Sequence, residues 1–306
     1  MPATSANLGP GFDSFGLALE LRDVVQARTG AEGTRIEVHG EGAGKVPADA
    51  RHLVARVVRE ELAAAGFSAP GLELVCRNVI PHGRGLGSSA SAIVAGLAAA
   101  RALLTAAGVV DEDDAQTRDR VLREATRWEG HPDNAAPAVV GGFTIAWSAH
   151  DDAHPGRPGH PGAVHAVRLG VHPDVRAVVC VPDTELATSR ARALLPATVP
   201  HADAALTAGR AGLLVHALTA DPDLLLEATV ERLHQAQRAP AMPDTAQLLD
   251  RLRRSGLAAV VSGAGPSALV LAPAARAAEV AGLAGPGWRV LDLPIATDGV
   301  RARVLD

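Results

Sequence analysis

Tyrosine is absent from the 306 residues, and the remaining aromatics are four Phe and three Trp. So few rings leave no platform on which single-stranded bases could stack. Lysine is almost absent too: of 29 Lys plus Arg, one is Lys45 and the other 28 are arginine. A Walker A loop needs Gly-Lys followed by Ser or Thr, and Lys45 is followed by Val46, which excludes P-loop nucleotide chemistry. Schiff-base chemistry needs a lysine in an apolar pocket or beside another cation, and Lys45 stands between glycines and Val46-Pro47. Any phosphate chemistry therefore falls to backbone amides, arginines and a metal. Cysteine is limited to Cys76 and Cys180, far apart and each inside an apolar run, so neither a disulfide framework nor a zinc ribbon is available. A reducing, cytoplasmic compartment is expected.

Charge points the same way. The 34 Asp plus Glu leave a net charge of −5, and the pI near 6.2 argues against a nucleic-acid partner. Arg101 interrupts the longest apolar stretch, residues 92–110, and the N-terminus has neither a basic n-region nor an apolar h-region, so no membrane partner is expected. With 47% hydrophobic and 21% charged residues, the chain reads as one large or two medium domains with a substantial core.

Leu72, Leu74 and Cys76 alternate on one face of a half-buried strand, residues 72–77. Helical spacing appears around Leu53, Val57 and Leu62, and again at Ile93, Leu97 and Leu104. A third helix is expected over residues 113–128, with acids near its start and Arg120, Arg123 and Arg127 toward its end. Residues 149–162 hold too many prolines and glycines for a helix or central strand and read as a long exposed loop near a domain boundary. A metal site from its His and Asp residues is the competing reading, but nothing fixes their geometry. Beyond it come a strand at 175–181, helices near 205–220, 224–237 and 245–255, strands at 258–261 and 268–271, and a helix at 274–283. Strands and helices alternating with antiparallel returns favour α+β, with the loop dividing the chain into residues 1–150 and 151–306.

The strongest chemical signal is Ile80-Pro81-His82-Gly83-Arg84-Gly85-Leu86-Gly87-Ser88-Ser89-Ala90. Three alternating glycines let the backbone approach a ligand, and two hydroxyls open a helix whose N-terminus favours anions. A serine-capped turn also starts many ordinary helices, but three glycines are more than a cap requires. A second glycine loop, Ser262-Gly263-Ala264-Gly265-Pro266-Ser267, leads into a strand instead of a helix and so is not a Rossmann turn. Pro2 to Asp13 is dense in turn formers and by itself reads as an N-terminal loop. In Trp128-Glu129-Gly130-His131-Pro132-Asp133-Asn134, Gly130 and Pro132 suffice to end a helix, with Asp133 and Asn134 capping the next turn. A functional cluster of two acids, an imidazole and an amide stands equally beside that account.

Taken in chain order, these segments resemble the GHMP kinases, and within them the homoserine kinases of actinobacterial type. Thr188-Ser189-Arg190-Ala191-Arg192 and Arg238-Ala239-Pro240-Ala241-Met242-Pro243 add to the likeness, which covers essentially the whole chain. The resemblance implies a two-domain GHMP kinase fold, with an ATP-binding, ribosomal S5 domain 2-like N-terminal domain, a ferredoxin-like C-terminal domain and a substrate cleft between them. It implies ATP and Mg²⁺, with phosphoryl transfer to the side-chain hydroxyl of L-homoserine for threonine synthesis, a chemistry of positioning and charge neutralisation. Pro81, His82, Gly83, Arg84, Gly85, Leu86, Gly87, Ser88, Ser89 and Ala90 would hold the nucleotide, with Ser89 on the metal. Asn7, Asp13, His131, Asp133, Thr188, Arg192 and Arg238 would surround homoserine, Asp13 facing its ammonium and an arginine its carboxylate. Ser262 and Gly263 would close the pocket, and Asn134 would sit by the reacting hydroxyl, completing a catalytic set with Asp133 and Ser89. A homodimer is left open.

Two departures qualify the match. Arg127 stands where relatives carry the first of two alternate acids, so either Glu129 or Glu124 supplies the metal carboxylate or Mg²⁺ is held less well. The chain also starts at Met1-Pro2, where relatives have several β-like residues, which implies a downstream start codon or a shortened first strand exposing a sheet edge. Both departures also suit a non-catalytic relative that binds nucleotide or amino acid as a sensor. Another small-molecule kinase of the superfamily is a third reading.

Overall fold

The structure, a computed structural model, describes residues 1–30, 32–148 and 163–305. Its first half contains strands β1 (Pro2–Ala6), β2 (Phe15–Arg22), β3 (Val24–Gly30), β4 (Gly33–Gly40), β5 (Gly71–Asn78) and β6 (Phe143–Ser148). Helices α1 (Leu53–Ala64), α2 (Ser88–Ala106), α3 (Asp114–Glu129) and α4 (Ala135–Val140) accompany them. β1, β2, β6 and β7 (Val164–Leu169) form one sheet in that order, and β3, β5 and β4 a second.

Local chemistry accounts for the elements that matter most. The α3 N-terminus is a capping box, in which the Asp113 carboxylate accepts from the amides of Ala115 and Gln116 while the Gln116 side chain accepts from the Asp113 amide. It ends at Gly130 with φ 85°. α2 is apolar on nearly every face because it packs against α1, α3, α4 and β1. A Cβ at Gly96 would lie 2.9 Å from Val57, so glycine there sets the close approach of α1 and α2. This helix is long and apolar enough to cross a membrane, yet it lies within the fold. Buried Arg101 is matched by Glu112 at 2.5 Å and Glu61 at 3.3 Å, with Arg120 also on Glu61 at 2.6 Å.

The second half contains β8 (Val175–Pro182), α5 (Thr188–Ala193), α6 (His201–Thr219), α7 (Leu225–Ala228), α8 (Gln235–Arg238), α9 (Pro243–Arg254), β9 (Ala258–Val261), β10 (Ala268–Pro273), α10 (Glu279–Ala284) and β11 (Trp288–Leu293). Its antiparallel sheet, ordered β11-β8-β10-β9, is a split βαβ arrangement, so the fold is α+β. Val178, Cys180 and Val270 pack on Leu248, Leu252 and Val280. The opposite face, with Val179, Val181 and Leu269, meets Leu214 and Leu218 in a core that also contains Leu17, Leu19 and Phe143. Burial on both faces explains the unbroken apolar run of β8. After β11 the chain returns to the first half: Ala296 N–H donates to the Ala18 carbonyl at 2.9 Å and Gly142 N–H to the Ala296 carbonyl at 2.7 Å.

Three sequence expectations change. Pro2–Ala6, read as loop, is a strand, because five small or compact residues can be buried on both faces beside β2. The helix expected over 224–237 is broken into α7 and α8. Between them Glu231 accepts from the amides of Leu233, His234 and Gln235, a side-chain cap that replaces the helical ladder. Residues 274–283 are a 3₁₀ turn at Ala274–Arg276 followed by α10. The expected loop at 149–162, with its His and Asp residues, lies outside the described residues.

Candidate active site

The loop from Ile80 to Gly87 turns at glycines with φ of 66°, 73° and 65° for Gly83, Gly85 and Gly87. It then opens α2 without a side-chain cap. The first N–H groups of a helix have no intrahelical acceptor, so those of Ser88, Ser89 and Ala90 stand available to a ligand, with the positive end of the α2 dipole behind them. Neighbours fix the loop on both sides. Ser262 Oγ donates to the Gly85 carbonyl at 2.6 Å, and Leu186 N–H donates to the Gly83 carbonyl at 3.0 Å.

In front of this loop is a cleft of about 160 Å³. Gly83, Gly85, Gly87, Ser88, Ser89 and Ala90 line it from the glycine loop, and Asn7, His131, Asp133, Asn134, Thr188, Arg192, Arg238 and Gly263 from the other segments. The expected side chains that do not line it have identifiable positions. Leu86 is buried in the core, and Ser262 lies beneath the loop on Gly85 and Ser5. The Arg84 guanidinium turns away from the cleft to the carbonyls of His82, Pro182 and Asp183 at 2.8–2.9 Å, so it ties the loop to the strand end of β8. Pro81 and His82 precede the turn and do not line the cleft, nor does Asp13, whose carboxylate is bonded instead to Arg192, a residue that does.

Ser89 Oγ donates to Glu129 Oε1 at 2.5 Å. Glu124 instead accepts from Arg127 Nε at 2.9 Å, and Arg127 also pairs with Glu60 on α1. Arg127 is thus directed out of the cleft, and Glu129 is the acid that lines it. No group of three His, Cys, Asp or Glu that could hold a metal occurs among the described residues. Ser89 and Glu129 supply two hard oxygens, which suits a Mg²⁺ that keeps waters and phosphate oxygens as its other ligands.

The other end of the cleft is built for charge. The Asn7-to-Asp13 loop carries positive φ at Asn7, Leu8 and Asp13 (70°, 50° and 55°), a local strain retained because surrounding contacts over-determine it. Asn7 Nδ2 donates to the Gly263 carbonyl at 2.9 Å, and its Oδ1 accepts from the Asp13 amide at 3.0 Å. The Asp13 carboxylate receives two bonds from Arg192, at 2.6 and 3.0 Å. Arg192 and Arg238 both lie over the Phe12 ring, at 5.7 and 5.4 Å.

Arg238 is 2% exposed, and its Nε has no hydrogen-bond partner. It is paired with no acid among the described residues. Its nearest acceptors are the Gly263 carbonyl at 3.3 Å and His234 Nδ1 at 3.4 Å. Burial, then the charge of Arg192, lowers its pKa below the ordinary arginine value. His234, wholly buried, has its Nε2 2.8 Å from the Gly9 carbonyl oxygen, and burial holds its pKa below the ordinary value. His131 goes the other way. Burial opposes its charge, but the Asp133 carboxylate, 2.7 Å from Nδ1, outweighs this and raises its pKa.

Leu186, Ala187 and Ala264 also line the cleft and were not anticipated from sequence. Their only signal was adjacency to the quoted motifs. A larger hollow of about 530 Å³ lies between α9 and β11, lined by Asp183, Asp244, Arg251 and Trp288 among others. It contains none of the glycine-loop residues.

Residues 52–142 match the family description GHMP kinases N terminal domain, and residues 204–282 match GHMP kinases C terminal. The chain is 50% identical to a homoserine kinase of Rhodococcus erythropolis over 301 residues, 98% of this chain and 93% of that protein. It is 49% identical to a homoserine kinase of Mycobacterium tuberculosis over 270 residues, 88% of this chain and 82% of the other. Among solved structures, a homoserine kinase from Cytophaga hutchinsonii superposes with a TM-score of 0.80 at 26% identity, covering 97% of this chain and 94% of that one.

Proposed function

The chain belongs to the GHMP kinase family, and we propose that it is a homoserine kinase, transferring the γ-phosphate of ATP to the side-chain hydroxyl of L-homoserine to give O-phospho-L-homoserine and ADP. The observation that carries this reading is the juxtaposition, across one cleft, of two unmatched features. One is the α2 N-terminus with free amides, and the other is buried Arg238, which has no acidic partner among the described residues. The first is complementary to phosphate, the second to a carboxylate.

The Asp13–Arg192 pair beside Arg238 presents the charges of an amino-acid zwitterion in mirror order. The arginines would take the substrate carboxylate and Asp13 its ammonium. Thr188, His131 and Asn7 would shape the pocket around the carbon chain, and Gly263 would close it. Opposite, the amides of Gly83 to Ala90 would hold the triphosphate. Ser89 and Glu129 would hold a divalent cation, which neutralises charge shared by the β- and γ-phosphates when bound. Asn134 and Asp133 would flank the reacting hydroxyl. Its oxygen bonds to the γ-phosphorus as the bond to the β,γ-bridging oxygen breaks, with the hydroxyl proton released and ADP leaving. A division between residues 150 and 151 would part β6 from its antiparallel partner β7, so we place the domain boundary between β7 and β8 instead.

Coupled ADP release tests the assignment. It should rise with L-homoserine and remain at background with L-serine or mevalonate. Release that ignores L-homoserine, or binding of ATP and homoserine without phosphorylated product, would reject the kinase in favour of another acceptor or of a sensor.

A further inference from the structure

We propose that Thr4 is a positioning residue for phosphoryl transfer, acting by orienting the side-chain amide of Asn134. The inference rests on the reading that Asn134 adjoins the reacting hydroxyl. Thr4 lies on β1, wholly buried and outside the cleft lining. Its Oγ1 donates to Asn134 Oδ1 at 2.8 Å. On the other side, Asn134 Nδ2 is 3.4 Å from Asp133 Oδ1.

These two contacts fix which way the amide faces. A carboxylate only accepts, so the NH₂ must lie on the Asp133 side, and the Thr4 hydroxyl then completes the arrangement by donating to the carbonyl oxygen. One N–H of the amide is left for the cleft. It is a donor to an oxygen of the acceptor hydroxyl or the transferring phosphoryl group, at the place where charge develops. With Thr4 silent, only the long contact to Asp133 would oppose rotation of the amide, and its carbonyl could face the phosphate oxygens instead.

Two further features show that the pair is built in. A Cβ at Gly87 would fall 1.9 Å from Thr4 Oγ1 and 2.9 Å from Asn134 Oδ1, so the third glycine of the loop makes room for this contact. The Thr4 amide donates to the Leu86 carbonyl at 3.1 Å, which locks β1 to the same loop. The hydroxyl that orients Asn134 is thereby held in register with the nucleotide site.

The test is a double-mutant cycle with Thr4→Val, Thr4→Ser, Asn134→Ala and the Thr4→Val/Asn134→Ala pair, each checked by thermal unfolding. Thr4→Val should lower kcat by about tenfold to a hundredfold, as expected for losing one buried orienting hydrogen bond, with KM for both substrates little changed. Thr4→Ser should restore most of the rate, and the double variant should be no slower than Asn134→Ala alone. If Thr4→Val proves too unstable to purify, Thr4→Ala takes its place. An unchanged kcat, a Ser variant as slow as Val, or additive losses in the cycle would overturn the proposal. The Asn134 side-chain amide resonance in ¹⁵N spectra gives a readout independent of turnover: it should shift in Thr4→Val and stay near its native position in Thr4→Ser. A wild type that phosphorylates a different alcohol would reject homoserine as substrate while leaving the cycle readable on that alcohol.

Discussion

The three alternating glycines of the loop before α2 share one backbone requirement but differ in what a methyl group would meet, which makes them an internal control. Gly83, Gly85 and Gly87 have φ of 66°, 73° and 65°, so alanine at any of them costs about 1–2 kcal/mol for the left-handed conformation. At Gly83 that is nearly the whole cost, because the new Cβ would sit 3.5 Å from the Glu185 side chain, an ordinary contact. At Gly85 it would lie 2.2 Å from the Ser262 carbonyl oxygen and 2.9 Å from that of Gly265. Both are backbone atoms that cannot rotate away, so the loop must retreat by most of an ångström and abandon the Ser262 Oγ bond. A misplacement of about 1 Å can cost about a hundredfold in rate. Gly83→Ala should therefore lower the midpoint of thermal unfolding by several degrees and leave kcat/KM for ATP within about threefold of wild type. Gly85→Ala should reduce kcat/KM for ATP by about a hundredfold. Gly87→Ala should act chiefly on kcat, since its methyl displaces the Thr4 hydroxyl from Asn134. Coupled ADP release with varied ATP gives the kinetics, and differential scanning fluorimetry the stability. Equal losses at all three positions, or the largest loss at Gly83, would refute the reasoning.

Ser89→Ala and Glu129→Gln should each reduce turnover by at least about a hundredfold at fixed Mg²⁺ without unfolding the chain, whereas Glu124→Gln should stay near wild type; near-normal activity in either of the first two removes that residue from the metal site. Asp13→Ala is expected to raise the homoserine KM by about tenfold or more while leaving the ATP KM unchanged, and an unaltered homoserine KM rejects its ammonium role. Stability should fall as pH drops below 6.5. Burial depresses the folded-state pKa of His52 and His234, so the unfolded chain takes up protons there that the native state refuses. His131, with its raised pKa, takes up its proton in the native state above 6.5 and is charged in both states below it, so it does not offset the two depressed histidines, which together give a slope of up to about 2.7 kcal/mol per pH unit. Urea unfolding at several pH values reads this slope, and His52→Gln should flatten it. A stability that rises on acidification would contradict the burial argument.

Much of the site was legible because its chemistry is local in sequence. Gly83 to Ala90 announces itself by composition, and the positive φ of its glycines is what such spacing requires. The start of α3 near Asp113 and its stop at Gly130 were also readable, since the acids at its start and the glycine at its end act within a few residues. What escaped depends on distant partners. Nothing in Pro2-Ala3-Thr4-Ser5-Ala6 specifies a strand until β2 and the Leu86 carbonyl pair with it. The segment 224–237 has helical spacing, but Glu231 caps the amides after it and buried His234 reaches the Gly9 carbonyl, contacts that override propensity. The direction of Arg84 could not be inferred, because two of the three carbonyls that receive it, those of Pro182 and Asp183, lie about a hundred residues away. The choice between Glu129 and Glu124 likewise needed α1, whose Glu60 helps to hold Arg127 away from the cleft.

The central claim is that main-chain donors of the glycine loop grip a triphosphate beside an amino-acid pocket. Backbone ¹⁵N–¹H spectra recorded while a non-hydrolysable ATP analogue and Mg²⁺ are titrated in test it most directly. The account predicts the largest shifts at the amides from Gly83 to Ala90, with homoserine then moving Asn7, Asp13 and Arg238. Undisturbed loop amides at saturating nucleotide, or shifts centred on the hollow between α9 and β11, would contradict it.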